Sequence, residues 1–471
     1  MKIRKPLFVS LLSIVLLFLG IVVVACASPS EHHRSEKPNI IIILTDDQPT
    51  HTMKYMPNVQ KELVAKGINF PNAFITTPLC CPSRASILTG LYAHNHGVHT
   101  NRPPNGGATV FKDSSTLPVW LQSAGYRTAL MGKYLNNYDA LPVGYIPPGW
   151  NEWDAFVKKD PEKDYYYGYT LNDNGKVVQY GVKSTDYSTD VLKDKAIDFI
   201  HKNSDGPFFL YFSVYSPHLP YLTVDRYKDL FKSYTDTFTP YYPPNFFEKD
   251  ISDKPAWLNM YKPETPLYTE NVYQRILRSL MGVDDAVGAI VAELDKEGIR
   301  DNTMIIFMSD NGLALGDHRL LEKACPYDIC INVPFVVSYP DKISASRTDS
   351  NLILNIDIAP TLTELAGIPG ISKFDGQSFL PVLNNPTAPG RDGFLIEQYQ
   401  DVGEDVSMTT LVPPYVGYRT KEWKYVEYET GEKELYDLKA DPYEMENLIH
   451  KTGYDDVIAG FHAQIAKLRS Q

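Results

Sequence analysis

Oxygen-rich side chains stand at two places where the chain has just left a strongly apolar run. Pro38-Asn39-Ile40-Ile41-Ile42-Ile43-Leu44-Thr45 leads directly into Asp46-Asp47-Gln48, and Thr303-Met304-Ile305-Ile306-Phe307-Met308-Ser309 leads into Asp310-Asn311-Gly312. Adjacent carboxylates at the end of a buried segment repel each other unless a cation sits between them. An Asp pair on its own serves equally as a helix cap or a turn. With Asp310 and the amide oxygen of Asn311 added, Asp46 and Asp47 would complete a four-oxygen cage. Hard oxygen ligands favour Ca²⁺ or Mg²⁺ over zinc, and no His/Cys cluster in the sequence competes.

A third stretch, Cys80-Cys81-Pro82-Ser83-Arg84-Ala85-Ser86-Ile87-Leu88-Thr89-Gly90, sets a thiol close to a fixed cation. Pro82 suits the first turn of a helix. A helix beginning near Ser83 would aim its free N–H groups back at Cys80, an arrangement that suits an anion, and Arg84 adds a fork of donors. The same residues also fit two buried cysteines at a helix start, or a disulfide. Lys133 follows an apolar strand and Gly132. His218 follows another, in Ser216-Pro217-His218-Leu219-Pro220. Lys323 lies on the loop after Gly316-Asp317-His318. Ligand sites of open α/β sheets lie outside the carboxyl ends of the strands. The groups Asp46/Asp47, Cys80/Arg84, Lys133, His218 and Asp310/Asn311 each follow a helix start or an apolar strand, a convergence that independent loop residues would not show. His94, Asn95 and His96 follow Gly90 on a loop and are candidates for the pocket wall or for a plain surface loop.

The elements that must position these groups read as an α/β fold. Continuous apolar runs at 38–45, 126–131, 207–215, 303–309 and 333–339 predict strands buried on both faces of a mostly parallel sheet. Helices are expected at 56–65 (closed by Gly67), 117–124, 187–203, 271–298 and 357–367, sandwiching that sheet. On the 271–298 helix, Asp284 and Asp285 read as a solvated or capping face. Segments 144–180 and 234–267 are Tyr-rich with little periodicity; the first reads as an insertion at the rim of the site, the second as a loop or lid. From about Gly390 short alternating strands at 394–398, 415–419, 423–428 and 433–436, with a helix at 454–469, predict a smaller antiparallel sheet. The expected division is 38–389 for the catalytic part and 390–471 for the small-sheet subdomain.

The pattern Cys80-x-Pro82-Ser83-Arg84 with Thr89-Gly90 resembles the signature of the sulfatases, a branch of the alkaline phosphatase superfamily. The resemblance implies that Cys80 is oxidised by a maturase to formylglycine, whose hydrate is the nucleophile; Cys81 is excluded because it lacks the residue between Cys and Pro. It implies that Asp46, Asp47, Asp310 and Asn311, with the modified Cys80, bind the divalent metal, and that Arg84, Lys133 and Lys323 hold the sulfate. Asp310 is then the base near the nucleophile, and His218, with Lys323, protonates the leaving alcohol. The alkaline phosphatase-like fold follows from the same likeness, as does hydrolysis of a sulfated glycan or a small sulfate ester. Many sulfatases carry a His two residues after the first Lys, where this chain has Leu135. Gly132-Lys133-Tyr134-Leu135-Asn136, Gln274-Arg275-Ile276-Leu277 and Val283-Asp284-Asp285 look like the N-acetylglucosamine-6-sulfatase and heparan 6-O-endosulfatase branch. Asp375-Gly376-Gln377-Ser378 and Leu435-Tyr436-Asp437-Leu438 resemble structural signatures of the family. Two rivals remain: a phosphodiesterase or phosphonate hydrolase of the same superfamily, and a non-catalytic glycan-binding protein.

Composition narrows the setting. The 471 residues are 43% hydrophobic and carry a net charge of −12, so the global field repels nucleic acid and any anionic substrate must be held by local cations. Five cysteines do not make a disulfide framework for a chain this long, although Cys325 and Cys330 bracket a short loop as a bonded pair or as free thiols. Lys2, Arg4 and Lys5 precede an apolar run that ends Val23-Val24-Ala25-Cys26, which resembles a bacterial lipobox. That resemblance implies that residues 1–26 form a lipoprotein signal with Cys26 lipidated, anchoring the protein to a membrane, and that 27–37 form a flexible tether; an uncleaved membrane anchor or an ordinary signal peptide fits the same run, and all three place the catalytic part outside the cytoplasm.

Overall fold

Alternation along the apolar runs builds the main sheet. In β1 (Asn39–Thr45) Ile41 and Ile43 enter one apolar layer, while Ile40, Ile42 and Leu44 enter the other. Each isoleucine so buried contributes roughly 1.5–3 kcal/mol relative to exposure. The computed structural model describes residues 37–157, 165–235, 238–371, 373–400 and 411–471. The expected lipoprotein signal, Cys26 and residues 27–36 of the tether lie outside them.

In chain order the elements that frame the site are β1, α1 (Cys80–Thr89), β2 (Arg127–Gly132), β3 (Glu152–Phe156), α2 (Ser188–Lys202), β4 (Phe208–Ser213), α3 (Pro266–Lys296), β5 (Thr303–Ser309) and β6 (Phe335–Ser338). Five strands run parallel in the order β5-β1-β4-β2-β3 at the centre of a ten-stranded sheet. β6 and Ile68–Asn69 extend one side antiparallel, with Arg347–Thr348 at that edge. Thr170–Asp173 and Lys176–Gln179 extend the other. Helices α2 and α3 cover one face and α1 the other. A four-stranded antiparallel sheet (Gly393–Gln398, Tyr415–Thr420, Trp423–Tyr428, Lys433–Asp437) carries the helix Asp455–Arg469. Its core residues Phe394, Ile396 and Leu435 pack with Phe74, Ile331 and Leu354.

Three expectations need correction. Segment 144–180 is not an irregular insertion: Trp153, Ala155 and Leu171 are fully buried, and three of the sheet's strands come from it. The helix near 56–65 is a widely wound turn (Val59–Leu63) followed by a tight one (Val64–Lys66), and Gly67 is extended at φ −145 rather than left-handed. What Gly67 avoids is a clash, since a Cβ there would lie 2.3 Å from the Val337 carbonyl oxygen. Finally, α1 begins at Cys80, not near Ser83, because the Leu79 carbonyl already accepts the Ser83 N–H at 3.0 Å. Asp284 does cap: it is buried and accepts the N–H groups of Asn58 and Val59 at 3.0 and 2.9 Å, while Asp285 meets Arg226 and Tyr227.

Strand register decides where the polar residues emerge. Thr45 lies opposite Ser309, Leu44 opposite Ser213, and Ser213 opposite Gly132. Asp46, Asp310 and Lys133 therefore leave the sheet along one line. Gly132 permits this exit: its φ is +113, and a Cβ would lie 1.9 Å from the Ser213 carbonyl oxygen. Gly132→Ala is expected to destabilise the fold by about 2–3 kcal/mol, read as a lower urea midpoint; an unchanged midpoint would contradict the close approach.

Candidate active site

Three carboxylates and three cations meet at that line, all buried. Lys133 Nζ donates to Asp46 Oδ2 at 2.5 Å. Lys323 Nζ donates to both oxygens of Asp47, at 2.6 and 2.8 Å. Arg84 Nε donates to Asp310 Oδ2 at 2.8 Å, and its second nitrogen reaches the Lys133 carbonyl at 2.8 Å and Ser213 Oγ at 2.7 Å. Burial alone would raise the Asp46 carboxyl, but Lys133, His218 and Arg84 outweigh it and hold it below its ordinary range. Asp47 behaves alike, with Lys323 the strongest counterweight. Burial would lower the Lys133 and Lys323 ammonium groups, yet Asp46 and Asp47 respectively keep both above their ordinary value. Asp47 sits at φ +64, a conformation Asp tolerates better than most residues, and its N–H donates to Asp310 Oδ1 at 3.1 Å.

Cys80 completes the cluster from the first turn of α1. Its Sγ lies 2.9 Å from Lys323 Nζ, 3.6 Å from Asp46 Oδ1 and 4.0 Å from Asp47 Oδ1. Burial pushes the thiol up to about 12 against the pull of Lys133 and Lys323. An unmodified Cys80 is therefore a thiol at neutral pH and a poor nucleophile. The expected set of helix N–H groups facing Cys80 is smaller than the sequence implied: the Cys81 N–H is taken by Asn101 Oδ1 at 2.9 Å and Pro82 has none.

His218 approaches from the loop after β4. Its Nε2 lies 3.5 Å from Asp47 Oδ2, and its side chain, 25% exposed, is the group of this cluster most open to solvent. Burial lowers its pKa, with Asp47 and Asp46 offsetting only part. The structure thus gathers Asp46, Asp47, Cys80, Arg84, Lys133, His218, Asp310, Asn311 and Lys323. It leaves out His94, whose Nδ1 meets Glu397 at 2.9 Å, Asn95, which donates to Asp375 at 2.8 Å, and His96, buried against Ser86 Oγ at 3.1 Å. Leu135 is buried in an apolar layer and supplies nothing in place of the family histidine. Two participants carried no sequence signal: Ser213, the last residue of β4, which orients Arg84 and donates to the Lys133 carbonyl at 2.7 Å, and Asn101.

The donor set fits a hard divalent cation. Oxygens of Asp46, Asp47 and Asp310 lie within 4.8 Å of one another. Asn311 Nδ2 donates to Asp47 Oδ1 at 2.5 Å, while Asn311 Oδ1 is buried with no hydrogen-bond partner among the described residues. Such an acceptor beside three carboxylates lacks a positive partner. Gly312 closes the turn, since a Cβ would lie 2.1 Å from the Ile329 carbonyl oxygen. Ca²⁺ at a hundredfold excess over its dissociation constant is expected to stabilise the protein by about 2.7 kcal/mol, seen as a raised unfolding midpoint in scanning fluorimetry. Asp310→Asn should lose that response; an equal rise in the variant would contradict the cage.

Comparison with known proteins agrees with this geometry. The family profile described as Sulfatase matches residues 38–368, and the profile described as N-sulphoglucosamine sulphohydrolase, C-terminal, matches residues 316–471. An extracellular sulfatase SULF-1 homolog of Drosophila melanogaster is 36% identical over 78% of this chain and 34% of its own length. The chain thus spans about a third of that relative. Human N-acetylglucosamine-6-sulfatase is 32% identical over 93% of this chain and 85% of its own. A solved structure in complex with its substrate D-glucosamine-2-N,6-O-disulfate has 25% identity, covers 92% of this chain and 98% of that one, and superposes with a TM-score of 0.78. A buried Cys80 flanked by paired lysines and carboxylates at the strand ends, on this sheet, accords with these matches, and the chain belongs to the sulfatase family.

Proposed function

We propose that the chain hydrolyses sulfate monoesters of a carbohydrate. The observation that carries the reading is the meeting of Cys80 Sγ with Lys323 Nζ at 2.9 Å beside three carboxylates and two further buried cations. Oxidised to formylglycine by a maturase, residue 80 would supply a hydrated aldehyde, one hydroxyl to attack sulfur and the second to release sulfate. A divalent cation held by Asp46, Asp47, Asp310, Asn311 and residue 80, with Ca²⁺ first and Mg²⁺ second, would supply positive charge for developing oxyanions. The chain's own side chains do the rest. Arg84, Lys133 and Lys323 neutralise the transferring group, in a site dry enough to make that effect large. Asp310, held by Arg84, takes the nucleophile's proton. His218, the most open member, stands where a leaving alcohol departs and protonates it together with Lys323.

A 6-O-sulfated glucosamine unit is the proposed substrate. Support comes from Gly132-Lys133-Tyr134-Leu135-Asn136, from the naming of relatives as N-acetylglucosamine-6-sulfatases and from the neighbour solved with a glucosamine disulfate. The proposed location is outside the cytoplasm, on a lipid anchor at Cys26. The basic-then-apolar N-terminus supports it, as does the Cys325–Cys330 disulfide, a bond that persists in oxidising compartments. Among the described residues no helix is long and apolar enough to cross a membrane.

Cys80→Ala is expected to abolish turnover of 4-nitrophenyl sulfate, with mass spectrometry finding the aldehyde at residue 80 of the parent; retained turnover would refute the nucleophile. Faster hydrolysis of phosphate diesters or phosphonates than of sulfates would instead place the chain with its superfamily rivals. His218→Ala is expected to slow release of a sugar alcohol about 100-fold and of 4-nitrophenol much less. Because burial lowers the His218 pKa, its acid form is depleted as pH rises, so kcat/KM on sugar sulfates should fall from mildly acidic toward neutral pH. A variant that keeps the parent profile would remove His218 from the proton path.

A further inference from the structure

Tyr215 follows the end of β4 by two residues and is buried. Its ring centre lies 4.6 Å from that of the His218 imidazole, and the Lys133 ammonium lies 5.8 Å from the same ring. Tyr165 and Tyr166 pack edge-on against it at 4.8 and 5.3 Å. Packing of this kind, including the pull of a cation on the ring, needs only a phenyl group. The hydroxyl is a separate requirement, because a buried O–H must find an acceptor. It finds the Leu219 carbonyl, at 2.9 Å.

The same carbonyl holds the imidazole. His218 Nδ1 lies 2.9 Å from the Leu219 oxygen. A carbonyl cannot donate, so Nδ1 carries the hydrogen of that bond, and the two lone pairs of the oxygen serve Tyr215 and His218 together. With Nδ1 committed, Nε2 is the nitrogen turned toward the cluster, 3.5 Å from Asp47 Oδ2. The main chain of His218 is fixed as well. Its carbonyl accepts the Tyr166 hydroxyl at 2.6 Å and the Tyr221 N–H at 3.0 Å, and its own N–H donates to the Tyr215 carbonyl at 3.0 Å.

We infer that Tyr215 is a positioning residue for the leaving-group proton: its hydroxyl anchors the Leu219 carbonyl that binds His218 Nδ1–H, and its ring packs against the imidazole, so that Nε2 faces the ester. The inference rests on the sulfate-ester reading above. As the bond between sulfur and the sugar oxygen breaks, its electron pair stays on that oxygen, which takes the proton from Nε2. Such a transfer works only within hydrogen-bond reach, so a small turn of the ring costs rate. Without the Tyr215 hydroxyl the carbonyl loses one of its two partners and the imidazole can turn.

The test compares sulfate release from D-glucosamine 6-O-sulfate and from 4-nitrophenyl sulfate by the full chain, since 4-nitrophenolate departs without a proton. Tyr215→Phe keeps the ring and removes the hydroxyl. It should lower the ratio of sugar-ester to nitrophenyl-ester turnover about tenfold, in kcat rather than KM. In a His218→Ala background it should change that ratio no further. An unchanged ratio, or an equal drop with and without His218, would overturn the inference. Nitrogen NMR of the histidine-labelled chain in mildly alkaline solution, with His218 assigned by its loss in His218→Ala, gives a readout apart from activity. The parent should carry its proton on Nδ1, and Tyr215→Phe should show a mixture; a parent ring protonated on Nε2, or a variant identical to the parent, would also overturn it. If the parent released sulfate from neither ester, the sulfate-ester reading would fail, and the nitrogen signal would still decide how His218 is held.

Discussion

Like charges gathered out of water are the constraint around which this molecule is arranged. Asp46, Asp47 and Asp310 are at most 5% exposed, and their oxygens crowd within 4.8 Å. Each buried ion costs several kcal/mol in lost hydration, which only well-placed opposite charge repays. The chain meets that demand pairwise, with Lys133 on Asp46, Lys323 on Asp47 and Arg84 on Asp310. These residues come from stretches as far apart as 46 and 323, so the site forms only when the parallel register of β5, β1, β4 and β2 is correct. The apolar layers on both faces of the sheet hold that register. Removing any one cation would strand a buried carboxylate, which makes the charges mutually dependent.

Lys323, the site lysine furthest along the chain, sits among contacts made by the C-terminal half. His318, fully buried, meets Glu248 at 2.6 Å and stacks on Tyr327 at 4.1 Å. Tyr241 donates to Asp317 at 2.9 Å and stacks on His51 at 3.7 Å, which joins this part of segment 234–267 to the loop before Lys323. The Cys325–Cys330 disulfide closes the next turn. Within that turn Asp328 binds Arg419 at 2.7 Å and Lys424 at 2.6 Å on the small sheet. Tyr327 donates to Glu434 at 2.8 Å. The antiparallel sheet thus stands behind Lys323, although none of its strands reaches the cluster.

Much of this was legible from residue types alone, for a physical reason. A strand buried on both faces must be apolar throughout, so a carboxylate directly after Thr45 or Ser309 marks both the strand end and an unusual polar need. Lys133 was found by the same logic, whereas Cys80 and Arg84 were found by family resemblance and by their place at a helix start. Segment 144–180 was misread because Tyr, Asn and Asp dominate its composition, while its strands are only four or five residues long and too short to show a clear apolar run. Ser213 was invisible because a serine at a strand end has many uses, and only the fold puts Arg84 beside it. The start of α1 was placed three residues late because Pro82 suits more than one position in a first turn. His96 looked available for chemistry until packing showed it bound to Ser86 within the core.

The central claim is that the carboxylates at the strand ends share one cation next to residue 80. Anomalous X-ray scattering from crystals grown with Ca²⁺ measures this directly. The account predicts a single peak about 2.3–2.6 Å from oxygens of Asp46, Asp47, Asp310 and Asn311, in contact with the side chain at position 80. Full occupancy of that space by the lysine ammonium groups, with no anomalous peak at saturating Ca²⁺, would contradict it.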